Sequence, residues 1–354
     1  MAGIEILNHD VLIEIFSYLN IHERVHMGLV CKKWHDVVEI MMRSIHRMRC
    51  RVNDYRKYGR LVRLDCGALD VWSDDTTHLE KILEKFASNL NKIKIEDSIR
   101  SDAPCFNFKL LNKCTKLNYA RLECFHDRLL EQFLEFLPTD NLEYLSINYN
   151  RKRGDYRWRH HCLLKTVLEK SRKLNSLDLK IWKNFELPPT EGMKNLKTLF
   201  LNFEELPHQQ HFDTTNLQNL EKLIIICSRF SDVSITELMR NCRKLHTVKF
   251  RSENILPETA LNEMISLPNL RHLHLRTIEN SYESWHKFSN LESIEISQPE
   301  PFSSTRDQII SFIRRSINLK TYYFNHGSYA KGTEFNKLFH QIASDMVQNR
   351  NIFS

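Results

Sequence analysis

Glycine is scarce, with 8 among 354 residues. No two glycines bracket a single residue, and no G-x-x-x-x-G-K-[ST] occurs. Phosphate-cradling loops of the P-loop or dinucleotide kind need bare backbone, so both are excluded. No apolar run approaches the roughly 18 residues of a membrane-spanning helix, and mean hydropathy is −0.45. No membrane partner is expected. The opening MAGIEILNHD lacks a basic stretch before an apolar core, so it does not read as a secretory signal. No C-x-x-C occurs among the nine cysteines. An odd count at wide spacing fits reduced thiols, and hence a cytoplasmic and/or nuclear protein, better than disulfides or a zinc site. The 51 basic and 44 acidic residues leave a net charge of +7. This mild surplus allows acidic partners without demanding nucleic acid.

Catalytic signatures are equally thin. HERVH at 22–26 has the H-E-x-x-H spacing of zinc peptidases but no evident third ligand. His160, His161 and Cys162 are adjacent in sequence without a metal-ligand spacing, and no G-x-S-x-G occurs. No catalytic residue, metal or cofactor is expected.

What is present is a repeat. The phrase [N/K]-L-x-x-L-x-L, with other apolar residues in its later positions, begins at 89, 116, 141, 173, 195, 219, 244, 269, 290 and 318. A weaker copy, RLVRLDC, begins at Arg60. The mean period is about 26 residues. The last two apolar positions alternate like one face of a short strand. Helical spacing often precedes them, as in Leu79, Ile82, Leu83 and Phe86, in Leu163, Leu164, Val167 and Leu168, and in Ile309, Ile310 and Ile313. One strand and one helix cannot bury both apolar faces alone, whereas stacked copies bury them continuously.

Residues 61–325 therefore resemble the leucine-rich repeat family. Small residues three before the first leucine (Cys114, Ser171, Cys242, Ser316) suit the tight descending turn of its cysteine-containing subclass. The asparagine or cysteine expected after L-x-L is mostly missing. Short intervals leave little room for a helix before Leu196, Leu220 and Leu291. The expected fold is α/β, an irregular repeat solenoid (horseshoe) over 61–354. Its amphipathic helix at 334–347, with Phe335, Leu338, Phe339, Ile342 and Met346, would cap the end. A generic α/β arrangement of the same strands is the alternative.

Residues 1–40 are a different object. Val11, Leu12, Ile15, Phe16 and Leu19 make a helical stripe two residues wide. Asn8 can cap that helix by accepting from the amide of Asp10 or Val11. Leu7 and Leu12 sit at staple positions. Val25, Leu29, Val30 and Trp34 form a second apolar set. So short a piece cannot bury all of these by itself. The string LNHDVLIEIFSYL followed by LVCKKW resembles the F-box, L-P-x-E-[VIL]-[LI]-x-x-I-F-x-[YF]-L, a connector, then V-C-[KR]-x-W. Asn8 stands where the family has proline and Asp10 where it has glutamate.

The resemblance implies the substrate receptor of an SCF-type cullin–RING ubiquitin ligase, with transfer chemistry on other subunits. It implies docking of a Skp-type adaptor, and through it cullin and RING subunits. The implied contacts are Leu7, Val11, Leu12, Ile15, Phe16, Leu19, Val30, Cys31 and Trp34. The alternative is a non-ligase leucine-rich-repeat scaffold or protein-interaction module, with the amino-terminal helices as an end cap. Residues 41–60 read as a basic connector, a polar bridge between the two parts.

Residues between the buried leucines of each strand face the open side. There Tyr119, Tyr144, Phe200, Ile224 and Ile226 would expose apolar or aromatic surface fit to anchor a partner. Lys249 should neighbour His274, and Arg251 should neighbour Arg276, with Lys222 and His272 completing a basic patch. Such a patch suits an acidic or phosphorylated protein substrate. The insertion RKRGDYRWRHH at 151–161 is expected to be a surface loop, with nucleic acid not the favoured partner.

Overall fold

In the computed structural model the described residues are 7–19, 21–45, 47–52, 61–65, 68–72, 80, 83–97, 108–149, 161–181, 190–203, 212–228, 230–252, 256–276, 287–288, 290–298, 316 and 318–326. The chain divides into two compact units, Met1–Trp182 and Lys183–Ser354.

The first unit begins with three helices, α1 (His9–Ser17), α2 (Ile21–Met27) and α3 (Lys32–Arg43). Asn8 starts α1 by accepting from the Val11 amide at 2.9 Å. Its backbone is extended, with φ −70° and ψ 169°. The capping thus falls on the second of the two amides that the sequence offered. The other end of α1 is held from α2. Arg24 is buried and donates from Nε to the Leu19 carbonyl at 2.9 Å and from Nη2 to that of Ser17 at 2.8 Å. A cation on carbonyls at a helix C-terminus satisfies acceptors that the helix leaves open and opposes its dipole favourably.

Strands β1 (Arg47–Val52), β2 (Leu61–Asp65), β3 (Ala68–Trp72), β4 (Lys92–Asp97), β5 (Tyr119–Cys124), β6 (Tyr144–Tyr149) and β7 (Ser176–Ile181) follow. Their order in the sheet is β7-β6-β5-β4-β1-β3-β2. All neighbours are parallel except the β2–β3 hairpin, which pairs Leu61 with Trp72 and Asp65 with Ala68. This amends two expectations. The stretch 41–60 is not only a polar bridge, because β1 pairs with β4 and β3. Met48 is buried between arginines 47 and 49, and the strand alternates arginine with Met48, Cys50 and Val52, but it lacks the leucine phrase and so escaped a repeat-based reading. The weak copy at Arg60 is likewise not a parallel repeat strand but the antiparallel edge of a hairpin.

The second unit carries β8 (Thr198–Phe203), β9 (Lys222–Ile226), β10 (Thr247–Arg251), β11 (His272–Arg276), β12 (Ser293–Gln298) and β13 (Thr321–His326), in chain order and parallel. Register advances one repeat per strand: Leu199, Leu223, Val248, Leu273, Ile294 and Tyr322 share one row.

The repeat phrase has a mechanical cause in both units. The amide of its first leucine donates to the carbonyl three residues back. Examples are Leu117 to Cys114 (3.0 Å), Leu174 to Ser171 (3.0 Å), Leu245 to Cys242 (3.2 Å) and Leu319 to Ser316 (3.1 Å). Cys114, Ser171, Cys242 and Ser316 are buried in those turns, where a larger side chain has no room. Burial pushes the Cys114 and Cys242 thiols up to about 12. The next two amides reach one carbonyl of the preceding repeat, as Asn118 and Tyr119 do to Asn91.

The Asn or Lys before each leucine builds a ladder. The amides of Asn141, Asn219 and Asn290 donate to the carbonyls of Thr115, Lys194 and Pro268. Lys173 and Lys244 then donate to Asn141 and Asn219 at 2.6 Å.

Helices cover one face of each sheet. They are α4 (Asp127–Phe136) and α5 (His161–Lys170) in the first unit, and α6 (Asp232–Asn241) and α7 (Glu258–Ile265) in the second. Leu164, Val167 and Leu168 point inward from α5, and Leu130, Phe133 and Leu134 from α4. Leu83 and Phe86 are buried within a helical turn at 83–86. Where the interval is short, the described residues before Leu196 hold a 3-10 turn (Thr190–Met193). Each unit is thus a leucine-rich-repeat stack, with apolar side chains between sheet and helices and alternate residues on an open strand face. No helix among the described residues is long and apolar enough to cross a membrane. The capping helix expected at 334–347, the stripe at Ile309–Ile313 and the insertion before His161 lie outside the described residues.

Candidate functional site

The amino-terminal stripe splits into two faces. At 3.6 residues per turn, Leu12 and Phe16 share one direction and Val11, Ile15 and Tyr18 another, about 100° away. Leu12 and Phe16 are each 1% exposed. Phe16 packs edge-on against Trp34, with ring centroids 5.2 Å apart at 73°. Val37, Val38 and Met42 of α3 are buried with them. Val11 is 41% exposed and Ile15 44%. Tyr18, Leu29, Val30 and Ile40 are exposed as well. Leu7, Leu19, Cys31 and Trp34 are half-buried.

Two residues expected at a contact, Leu12 and Phe16, are therefore core residues of the bundle. A side chain enclosed by its own helices supports a docking face from beneath and does not form it. Tyr18 and Leu29 join the outer surface instead. Spacing alone pointed to Tyr18, which lies three residues after Ile15.

On the open strand face of the first unit, Tyr119 and Tyr144 are directly paired across β5 and β6. Their rings stack at 4.3 Å with a 4° tilt. Lys92, one strand over, lies 5.9 Å from the Tyr119 ring centroid. Burial first, then the negative charge developing on Tyr119 and that of Asp178, push the Tyr144 phenol up to about 12. The Tyr144 ring is held as a neutral phenol at ordinary pH. Around them the charges are matched. Arg49 reaches Glu96 at 2.7 Å, Lys94 pairs with Glu96 and lies 3.7 Å from Glu123, and Arg121 pairs with Glu123. Ser146 is buried and donates to Asp178 at 3.0 Å.

The second unit's open face is different. One row runs Phe200, Ile224, Lys249, His274, Glu295, Tyr323; below it lie Ile226, Arg251 and Arg276. The sequence-derived neighbours hold: Lys249 faces His274, and Arg251 faces Arg276. Phe200, Ile224 and Ile226 are half-buried, Lys222, His272 and Arg276 are exposed, and Tyr323 is 56% exposed.

One expected member of the basic patch is not basic. His274 is buried, and its Nε2 accepts from Arg251 Nε at 3.0 Å. A guanidinium can only donate, so that nitrogen carries no proton. Nδ1 carries it and donates to Glu295. Glu295 favours the imidazolium, but desolvation, Lys249 and Arg251 oppose it, and the imidazole is pushed down to about 3. The contact is a hydrogen bond from a neutral ring rather than an ion pair. Glu295 also lies 3.5 Å from Arg251 Nη2. Its fixing role went unseen in the sequence, although it sits 21 residues after His274 in the same row. Desolvation first and then Arg251 lower the Lys249 ammonium. Among the described residues Lys222, Lys249 and Arg276 form no ion pair. No group of three or more His, Cys, Asp or Glu that could hold a metal occurs among the described residues.

Residues 4–46 match the F-box domain family model. No curated protein matches the sequence. Among solved structures, the leucine-rich repeat-containing protein LegL7 from Legionella pneumophila is similar at 10% identity, over 84% of this chain and 98% of that one, with a TM-score of 0.36. The Toll–Spatzle complex from Drosophila is similar at 11% identity, over 70% of this chain and 45% of that one, with a TM-score of 0.29. The repeat fold of the present chain rests on its own register and turns.

Proposed function

We propose that this F-box and leucine-rich-repeat protein is a non-catalytic substrate receptor of an SCF-type cullin–RING ubiquitin ligase. The F-box docks a Skp-type adaptor, and through it cullin and RING subunits. An open strand face holds the protein to be ubiquitinated. The observation that carries this reading is the outer surface of the family-matched helices. Val11, Ile15, Tyr18, Leu29 and Val30 are large, apolar and exposed on a short bundle whose core is already filled by Leu12 and Phe16. Fully burying each such side chain is worth roughly 1.5–3 kcal/mol, which favours a covering partner.

The odd number and wide spacing of the nine cysteines in the sequence favour residence in the cytoplasm or nucleus. The test is co-purification of the adaptor with the full chain and with a Val11→Asp, Ile15→Asp variant. Loss of the adaptor from a folded variant is the expected result. Undiminished recovery would leave the protein an interaction scaffold whose helices serve as an end cap.

A further inference from the structure

Among the described residues of the three amino-terminal helices, Arg24 is the only buried polar or charged side chain, 7% exposed. Burial lowers its guanidinium from the ordinary value, and no carboxylate among the described residues offsets this. An interior cation is costly unless its donors are met. What those donors hold therefore bears on what the bundle does.

Nε and Nη2 lie along one edge of the planar guanidinium, and they donate to the carbonyls of Leu19 and Ser17 at 2.9 and 2.8 Å. The Ser17 carbonyl shares its peptide plane with the Tyr18 nitrogen. Between that plane and the Leu19 carbonyl lie only the φ and ψ of Tyr18 and of Leu19. A rigid fork on both carbonyls restrains all four angles. The Tyr18 and Leu19 amides are held as well, donating to the Ile15 and Phe16 carbonyls at 3.3 and 3.1 Å.

Tyr18 is 81% exposed, so packing does not fix its ring. The hydrogen bond from its hydroxyl to Glu14 Oε1 is long, at 3.4 Å. Its direction comes from the backbone that Arg24 clamps. We infer that Arg24 is a positioning residue for adaptor docking, which sets the aim of Tyr18 beside Val11 and Ile15 before the adaptor arrives. This inference rests on the adaptor-docking reading and adds to it a buried residue that touches no partner. An anchor already aimed loses less freedom on binding, so the clamp acts on affinity through Tyr18 alone.

The test is calorimetric titration of a Skp-type adaptor into the full chain, with Arg24→Lys made alone and in Tyr18→Ala and Val11→Ala backgrounds. Lysine keeps the charge and loses the planar fork. Alone, Arg24→Lys should weaken adaptor binding by about three- to tenfold, the cost of ordering one loosened side chain. The loss should persist with Val11→Ala and shrink below about twofold with Tyr18→Ala, because coupled residues are not additive. A merely structural role would weaken binding alike in both backgrounds, and that result overturns the inference. Amide hydrogen exchange on the unaltered, adaptor-free chain gives a second readout that no misfolded variant can spoil. The Tyr18 and Leu19 amides should exchange at least about tenfold more slowly than in an unstructured peptide, and exchange at the peptide rate overturns the inference. An unaltered chain that binds no adaptor sinks the receptor reading and this inference together. Equal binding by the unaltered chain and Arg24→Lys sinks this inference alone.

Discussion

Ile15 and Leu12 are three positions apart on one helix, yet their replacement should have opposite consequences. Leu12 is 1% exposed beneath Phe16, Trp34 and α3. Truncation to alanine removes buried methyl groups and leaves a cavity, at a cost of about 2–5 kcal/mol. Ile15 is 44% exposed, so Ile15→Asp removes little from the free chain, within about 0.5–1 kcal/mol. In complex with the adaptor the same aspartate would be a charge on desolvated apolar surface. Lost burial contributes roughly 1 kcal/mol and the unpaired charge adds more. A total of about 2–4 kcal/mol weakens adaptor binding by roughly 30- to 1000-fold. Urea unfolding followed by tryptophan fluorescence measures the first effect, and calorimetric titration with the adaptor measures the second. Ile15→Asp with wild-type adaptor affinity would refute the docking face. Equal destabilisation by both substitutions would refute the division of the helix into inner and outer sides. The same geometry makes Leu12→Asp a poor probe of docking, because it would unfold the bundle first.

Asn8→Ala should destabilise the bundle by about 1 kcal/mol through loss of the cap on Val11, whereas Asn8→Pro should be near neutral, because a fixed φ near −65° fits the observed −70°; urea midpoints compare them. Arg24→Leu should cost about 1–3 kcal/mol by orphaning the Ser17 and Leu19 carbonyls, read as lost helicity at 222 nm on warming. His274 is neutral when folded and charges when unfolded. Its contribution is intact above about pH 6.5 and falls away below, by about 1.4 kcal/mol per pH unit towards 3. His274→Gln should flatten that part of the stability–pH curve, and an unchanged slope would exclude His274 as its source.

The repeat was legible because period-two alternation and a recurring leucine are dictated by stacking itself. Leu117, Leu142, Leu174, Leu196 and Leu220 are all buried where the phrase puts them. What escaped was whatever lacked that signature. Arg47–Val52 pairs with two strands, yet it interleaves three arginines with Met48, Cys50 and Val52 and holds no leucine, and such a strand looks like a linker. The division of α1 was also hidden. Hydrophobicity marks Val11 and Leu12 alike, and only the position of Trp34 and α3 decides which of the two is enclosed. The pairing of Lys249 with His274 followed from repeat spacing, but the charge state of the histidine did not. It depends on Glu295 and Arg251 lying on either side of the ring.

The two open faces show why charge count in a sequence says little about recognition. The first unit carries many cations on its strands, and most are answered by a carboxylate on the same or the next strand: Arg49 and Lys94 by Glu96, Arg121 by Glu123, Lys180 by Asp178. These half-buried pairs cancel the local field and leave the stacked tyrosines as the prominent feature there. The second unit spends its nearby carboxylate on holding Arg251 and a neutral histidine. Lys249 and Arg276 are left facing solvent beside Ile224 and Ile226. Burying those cations without an anion would be costly, so any ligand that covers this face must bring its own negative charge. Selectivity then follows from the pattern of compensation within the sheet, and the net +7 of the chain is only its residue.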